Sequence, residues 1–367
     1  MTVRVGIISA AWGVQAHLPA WRAVPGVEVV GICTAHRETA ERAASEHGLA
    51  LPFWDAAAMA AHPDIDLIDA GTRPSYRREM CLAALANGKH VYNAIPFAAD
   101  LDAAKDLRNA AAAAPGTVTA VDAYSEHLGP IRFAEEILAE GALGNLQTVA
   151  GRLELSLFAQ PQSAFPYNWF HDASFGASAL RNLGSHVLHL MVRLLGPVAE
   201  VAGTPAQFLT RWDFVDAPGG LDVGVADVGV AALRFESGPV GTLSTAWAGA
   251  AAPGFLLEVA GDRGRLVIEA PMMPAAESTV RLGRAGGQLE VVAVPERLTV
   301  TEGIDLPSAY IGDPRGAMAR SFWLMTQAID GKAEARPDFA RGYHVQSTIE
   351  AIYHSADGAG WVRPTDL

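Results

Sequence analysis

The chain has 367 residues, 50% hydrophobic and 18% charged, which excludes a disordered or fibrous polypeptide and leaves room for two globular domains. A formal net charge of −13 argues against nucleic acid or an anionic membrane as a partner. Cys33 and Cys81 sit in apolar patterns, no apolar run reaches the length of a membrane span, and Met1-Thr2 leads directly into a strand; no leader and a reduced, cytoplasmic setting are expected.

Val3 to Ser9 is a largely apolar, β-branched run and reads as a buried parallel strand. Ser9-Ala-Ala-Trp-Gly13 follows as a tight turn, Val14 to Ala23 as a helix ended by Pro25-Gly26, and Val27 to Cys33 as a second strand. This unit has the length of a dinucleotide-binding half. Ligands of such sheets bind at the carboxyl ends of the strands, so Ser9, Ala10, Ala11, Trp12 and Gly13, with Thr34, His36 and Arg37, face any cofactor. The turn departs from G-x-G-x-x-G: Ser9, Ala11 and Val14 fall on the glycine positions, and Gly13 lies one position early. Small residues still let backbone N–H groups reach a phosphate at a helix N-terminus, and Ser9 adds a hydroxyl. From this turn alone, an ordinary βαβ unit that binds no nucleotide reads the same way.

The alternation continues with a helix over Arg37 to Gly48, a short strand at Pro52 to Trp54 and a short helix over Asp55 to Ala61 with Asp55 as N-cap. A fourth strand runs from Ile65 to Gly71 and exits through Thr72-Arg73-Pro74-Ser75 into a helix over Tyr76 to Asn87. His90 to Pro96 is a fifth strand and its exit, Leu101 to Ala114 a helix and Val118 to Val121 a sixth strand. Strands and helices alternating at this spacing mean a doubly wound parallel sheet.

Past residue 123 the texture changes. One amphipathic helix, Gly129 to Glu140, precedes strand-like runs at Leu146 to Phe158, Ala199 to Leu209, Val223 to Phe235, Val240 to Trp247, Phe255 to Ala260, Arg265 to Glu269, Val280 to Gly283 and Leu289 to Val294. A long helix, Ala177 to Leu195, interrupts them, and two more close the chain near Arg315 to Asp330 and Asp338 to Ala356. The expected fold is an α/β Rossmann domain over 1–122, then an α+β domain over 123–367 with a large, mostly antiparallel sheet. The C-terminal helices are free to pack back on the first domain.

Layout and local motifs together resemble the glucose–fructose oxidoreductase, inositol dehydrogenase and rhizopine-catabolism (Gfo/Idh/MocA) family. The matching stretches are Val5-Gly-Ile-Ile with His17 downstream, Asp64-Ile-Asp-Leu-Ile-Asp-Ala-Gly-Thr-Arg-Pro-Ser, Ala83-Ala-Leu-Ala-Asn-Gly-Lys-His-Val, Gly141-Ala-Leu-Gly, Leu183-Gly-Ser-His-Val-Leu-His and Gly360-Trp-Val. The resemblance implies an NAD- or NADP-dependent enzyme acting on sugars, cyclitols or related alcohols and ketones, and a homodimer or homotetramer formed through the outer face of the second-domain sheet.

The catalytic motifs depart from the family pattern. Its Glu-Lys-Pro falls on Ala94-Ile95-Pro96, so the lysine that helps hold the nicotinamide ribose and the reacting oxygen is Ile95 here. None of the three lysines, Lys89, Lys105 and Lys332, aligns with it. The family's Asp-x-Gly-x-His falls on Asn182-Leu-Gly-Ser-His186, and the aspartate three residues later is His189. Its Asn-x-Arg signature appears as Tyr124-Ser-Glu126.

Hydride transfer at a carbinol needs a group that moves a proton on or off the oxygen and titrates near the working pH. His186 is the candidate, because imidazole titrates there and it keeps the matched position. Asn182, four residues earlier, is expected on the same helix face, where it orients the substrate but is no base. A hydrogen-bonded structural histidine is the plainer alternative. Tyr167, in the aromatic stretch Phe165 to His171, is a candidate phenol to replace the missing lysine, and an aromatic plug is the alternative there. Tyr124, Asn168, His171 and His189 are candidate substrate contacts. Thr72, Arg73, Pro74 and Asn93, at the exits of the fourth and fifth strands, are candidate cofactor contacts. After the second strand no acid stands ready for ribose hydroxyls; Thr34 with Arg37 suits a 2′-phosphate, so NADP is favoured over NAD, with a solvated Arg37 as the alternative. No metal site is expected.

The expected function is an NAD(P)-dependent oxidoreductase on a sugar-, polyol- or cyclic-alcohol-like substrate. Two alternatives stand beside it: a cofactor-binding regulator or pseudoenzyme, and a redox-neutral lyase with tightly held cofactor.

Overall fold

The computed structural model describes residues 2–158, 167–300, 303–304, 307, 310 and 313–367, with Tyr167 described by its backbone alone. The chain divides into two compact units, Met1–His127 with Thr301–Tyr343, and Leu128–Val300 with His344–Leu367.

In the first unit, β1 (Val3–Ile8), β2 (Val27–Cys33), β3 (Leu51–Phe53), β4 (Leu67–Ala70), β5 (His90–Asn93) and β6 (Thr119–Val121) alternate with α1 (Leu18–Arg22), α2 (Arg37–His47), α3 (Ala56–Ala61), α4 (Pro74–Ala86) and α5 (Leu101–Ala112). The strands are parallel in the order β3-β2-β1-β4-β5-β6, which puts the switch point between β1 and β4. Val5, Ile7, Ile32, Leu67, Ile68 and Val91 are fully buried, as a sheet covered on both faces requires. Asp55 and Asp100 cap α3 and α5 by accepting the Ala57 and Ala103 N–H groups at 2.8 Å. The fourth helix starts at Pro74 rather than Tyr76, because proline suits a first helical turn. Where an α-helix was expected from Val14, the chain winds Gly13–His17 as a π-helix before α1.

In the second unit, α6 (Gly129–Ala139) leads into β7 (Leu146–Glu154), and after α7 (Ser185–Leu195) come β8 (Val198–Ala206), β9 (Arg211–Asp213), β10 (Gly220–Asp222), β11 (Val228–Phe235), β12 (Val240–Ala246), β13 (Gly254–Gly261), β14 (Gly264–Ala270), β15 (Thr279–Arg284) and β16 (Glu290–Val291). Eight of these strands form one sheet, β16-β15-β14-β13-β7-β12-β11-β8, antiparallel except where β12 runs parallel to β7. Burial alternates along β11, with Ala231, Leu233 and Phe235 inside and Val230 and Arg234 outside. On the inner face the sheet meets the helical segment through glycines. A Cβ at Gly151 would lie 2.5 Å from Val187 Cγ1, and one at Gly229 would lie 2.3 Å from Leu180 Cγ. The β9–β10 hairpin was not foreseen, and the expected strand from Val223 begins only at Val228. The helix expected over Ala177 to Leu195 is a π-helix at Leu180–Gly184 that passes into α7.

Two helices close the chain, α8 (Pro314–Ile329) and α9 (Phe339–His354). The first unit extends past the expected boundary at 122 to His127 and takes in 301–343. Two contacts explain this. Phe322 of α8 stacks on Trp21 with ring centroids 3.8 Å apart. Arg341 of α9 donates to both carboxylate oxygens of the buried Glu126 at 3.0 Å.

Candidate active site

The turn after β1 is shaped by Ser9. Its Oγ accepts the N–H groups of Ala11 at 3.2 Å and Gly13 at 3.4 Å, so the hydroxyl closes the turn from within. Ala10 and Trp12 are exposed, while Gly13 is buried against β1. A Cβ at Gly13 would meet Ile7 Cγ2 at 2.8 Å and Ser9 Cβ at 3.0 Å. Gly13 therefore performs the close helix–strand packing that the fingerprint assigns to its last glycine, despite lying one position early. The π winding takes up the offset: the Leu18 N–H reaches back to the Gly13 carbonyl. The small side chains of Ser9, Ala10, Ala11 and Gly13, with a helical turn directly behind them, fit a dinucleotide's pyrophosphate.

At the β2 exit, Thr34 Oγ1 donates to the His36 carbonyl at 3.0 Å, and His36 itself is exposed. Arg37 Nε donates to Glu41 Oε1 at 2.7 Å, and its guanidinium lies 5.1 Å from the Trp54 ring centroid. At the β4 exit Thr72 and Arg73 are half-buried and Pro74 buried.

The β5 exit is clamped. Asn93 is fully buried; its Oδ1 accepts from Arg77 Nη1 at 2.8 Å and its Nδ2 donates to the Phe97 carbonyl at 2.8 Å. Arg77 also donates to the Ala94 and Pro96 carbonyls, and burial pulls its pKa down to about 10. The Asn93 amide is thus spent on holding the loop that carries Ile95. Of the three lysines, Lys89 Nζ donates to the His62 and Ile65 carbonyls, Lys332 pairs with Asp330, and Lys105 lies on α5.

A buried polar network lies behind the turn, and the sequence reading did not anticipate it. His17 ends the π turn with no exposure. Its Nδ1 lies 2.9 Å and 3.0 Å from the two oxygens of Asp69 in β4, and its Nε2 lies 3.2 Å from Asp122 Oδ2 just after β6. Trp21 Nε1 donates to Asp69 Oδ2 and Tyr92 OH donates to Asp122 Oδ1, both at 2.8 Å. Burial works against a charge on His17, but Asp69 and Asp122 outweigh it and push the imidazole up to about 10. The signal for this network was Asp69, an acid inside the otherwise apolar strand Leu67-Ile-Asp-Ala.

In the second unit, His186 is half-buried at the start of α7, and His189 is buried. Asn182 is buried within the π turn, where its Oδ1 accepts the Ser178 N–H at 3.1 Å. The amide oxygen is thus directed back along the chain. His171 Nδ1 donates to the Asn168 carbonyl at 2.5 Å inside the 3₁₀ turn Tyr167–His171. The Tyr167 side chain lies outside the described residues, as does residue 165 of the aromatic stretch. Phe170 of that stretch stacks on Trp247 with centroids 5.5 Å apart. Tyr124, in the first unit, is buried, and burial raises its pKa further above the usual phenol range. Among the described residues no group of three His, Cys, Asp or Glu is placed to hold a metal ion, and no helix is long and apolar enough to cross a membrane.

Comparison with known proteins agrees with this arrangement. The model of an oxidoreductase family with an NAD-binding Rossmann fold, GFO/IDH/MocA, matches residues 3–121, and that of the family's C-terminal domain matches 131–267. Levoglucosan dehydrogenase of Pseudarthrobacter phenanthrenivorans is 24% identical over 98% of this chain and 97% of its own. A 1,5-anhydro-D-fructose reductase of Ensifer adhaerens is 25% identical over 84% and 91% of the two chains. A solved levoglucosan dehydrogenase in complex with NADH and levoglucosan superposes with a TM-score of 0.87 over 99% of both chains at 22% identity. An NAD-binding oxidoreductase from Klebsiella pneumoniae does so at 0.86, 99% of both chains and 24% identity. The parallel nucleotide-binding sheet, the mixed eight-stranded sheet behind it in sequence and both family matches converge: this chain belongs to the Gfo/Idh/MocA oxidoreductase family.

Proposed function

We propose that the chain is an NAD(P)-dependent oxidoreductase acting on CH–OH groups of a sugar-, polyol- or cyclic-alcohol-like substrate. The observation that carries the reading is that relatives matched along most of the chain bear the names of dehydrogenases and reductases of sugar-like molecules. These names also favour turnover over a regulator or a lyase.

The bound dinucleotide supplies a hydride acceptor or donor. Ser9, Ala10, Ala11, Trp12 and Gly13 form the turn that takes its pyrophosphate; Thr34, His36 and Arg37 serve the adenosine end. Thr72, Arg73, Pro74 and the Asn93 loop border it. The lack of an acid after β2 favours NADP. His186 carries the proton of the substrate oxygen, Tyr167 is its candidate partner and Asn182 shapes the turn that presents it. Tyr124, Asn168, His171 and His189 are assigned to the substrate's surroundings. Cys33 and Cys81 are both free thiols, in keeping with a reduced cytoplasmic setting.

The outer sheet face carries paired charges, Arg265 with Glu258 and Arg281 with Glu269, beside exposed Val230 and Val240. We assign it to a homodimer or homotetramer contact, to be checked by light scattering. The function is tested by following nicotinamide absorbance across a panel of anhydrosugars, polyols and their ketones with NAD and NADP. Reduction or oxidation of a panel member is expected. Binding without turnover overturns the enzyme, and product without net cofactor change identifies a lyase.

A further inference from the structure

The His17 network is built where a loose fit would be felt. The π turn Gly13–His17 has no side-chain cap at its start, and Ser9 acts only within the turn. His17 is the side chain that ties this segment to other strands, reaching Asp69 of β4 through Nδ1 and Asp122 beyond β6 through Nε2. Each carboxylate is held by a second donor, Trp21 Nε1 on Asp69 and Tyr92 OH on Asp122, so neither can turn to follow a displaced ring.

Aromatic rings enclose the imidazole edge-on, with centroids 5.6 Å away at Phe322, 5.9 Å at Tyr92 and 6.5 Å at Trp12. Water cannot replace a lost bond there, and two buried carboxylates without a cation between them would repel each other. The groups facing His17 are Asp69 from β4, Tyr92 from β5, Asp122 after β6, Trp21 from α1 and Phe322 from α8. Ser321 lies 3.3 Å from Tyr92 OH. Arg77 of α4 acts on Asp122 and Cys81 of α4 is acted on by Asp69, both at longer range.

We propose that His17 is a positioning residue for the dinucleotide: its ring, bonded as an imidazolium to both carboxylates, registers the Ser9–Gly13 turn on the carboxyl ends of β4 and β6. The inference rests on the dinucleotide reading given above. It concerns an anchor behind the turn and not a group that touches the cofactor. Because the turn serves the pyrophosphate, common to both cofactors, loosening it weakens NAD and NADP alike.

The experiment titrates wild-type protein and His17→Gln with NADH and with NADPH by fluorescence, alongside steady-state kinetics at saturating cofactor. Glutamine keeps a donor for one carboxylate only. Both dissociation constants are expected to rise about ten-fold or more, while kcat at saturation stays near wild type. Nitrogen NMR of the wild type at pH 8 is expected to show both His17 ring nitrogens protonated.

If His17→Gln does not fold, the same titration is made on His17→Gln/Asp122→Asn, which removes the repulsion between the carboxylates but not the missing anchor. Weak binding of both dinucleotides by that folded variant supports the inference. Wild-type affinity in either folded variant, a fall in kcat with unchanged affinity, or a neutral ring at pH 8 overturns it. Wild-type protein that binds neither dinucleotide sinks the oxidoreductase reading instead, so the two failures are distinct.

Discussion

Arg37 Nε and Glu41 Oε1 stand 2.7 Å apart on the exposed face of α2, with the guanidinium 5.1 Å from the Trp54 ring. The carboxylate therefore holds the group assigned to a 2′-phosphate. A phosphate offers more charge and more acceptor oxygens than a carboxylate, so it displaces Glu41 at the cost of one exposed pair. Glu41→Gln removes that competition and is expected to tighten NADP by up to about five-fold, given the roughly 0.2–1 kcal/mol of such pairs. NAD affinity stays as it is. Arg37→Gln weakens NADP alone. Equal NADP affinity in all three proteins would remove Arg37 from the adenosine end.

For His186 the expected signature is kinetic. Replacing a general acid–base by alanine costs about 10²–10⁴ in rate. His186→Ala should lose that much kcat while dinucleotide affinity is retained. Unchanged turnover would leave His186 a structural residue of α7.

Gly229 tests the packing of the π turn. A Cβ there would fall 2.3 Å from Leu180 Cγ, and Leu180 opens the turn that contains Asn182. Overfilling a tight contact costs about 1–3 kcal/mol. Gly229→Ala should lower the urea midpoint accordingly and depress kcat by shifting the turn. A wild-type midpoint would mean that Leu180 has room to move.

The pH dependence of stability follows from His17. Its pKa is raised in the folded protein to about 10, above the ordinary imidazole value of 6.5. The contribution is therefore fully present below pH 6.5 and is lost as pH rises through about 10. Urea unfolding at a series of pH values should show the wild type losing its advantage over His17→Gln across that window. Parallel curves for the two proteins would contradict a raised pKa.

Both thiols should be silent in the native protein. Cys33 and Cys81 are 4% and 0% exposed, and burial pushes each up to about 12. The thiolate is the reactive form. A disulfide reagent at pH 8 should titrate neither cysteine before denaturation and both after it.

Much of the scaffold was legible because its strands carry their environment in their composition. Val3–Ile8 and Leu67–Ala70 are apolar but for Arg4 and Asp69 and lie in a sheet covered on both faces; Val228–Phe235 alternates and has one wet face. What stayed hidden depends on winding or on distance along the chain. A π turn has the same apolar pattern as an α turn, so neither Gly13–His17 nor Leu180–Gly184 could be told from the helices that follow them. The pairing of Trp21 with Phe322 joins residues 301 positions apart in sequence (322 − 21), and no local period encodes it. Asn93 was read as a cofactor contact from its place at a strand end, but the Arg77 guanidinium that occupies its oxygen comes from a helix face with no distinguishing motif.

Placing residues 301–343 with the first unit has a consequence for how this protein is made. A ribosome finishes the sixth strand of the nucleotide-binding sheet at Val121, about two hundred residues before it adds Phe322. Until then the indole of Trp21 and the ring of Tyr92 wait without the side chain that covers them. The first-translated sheet is thus finished only after most of the second unit has been made, and a chain halted before α8 would expose an aromatic surface suited to a chaperone.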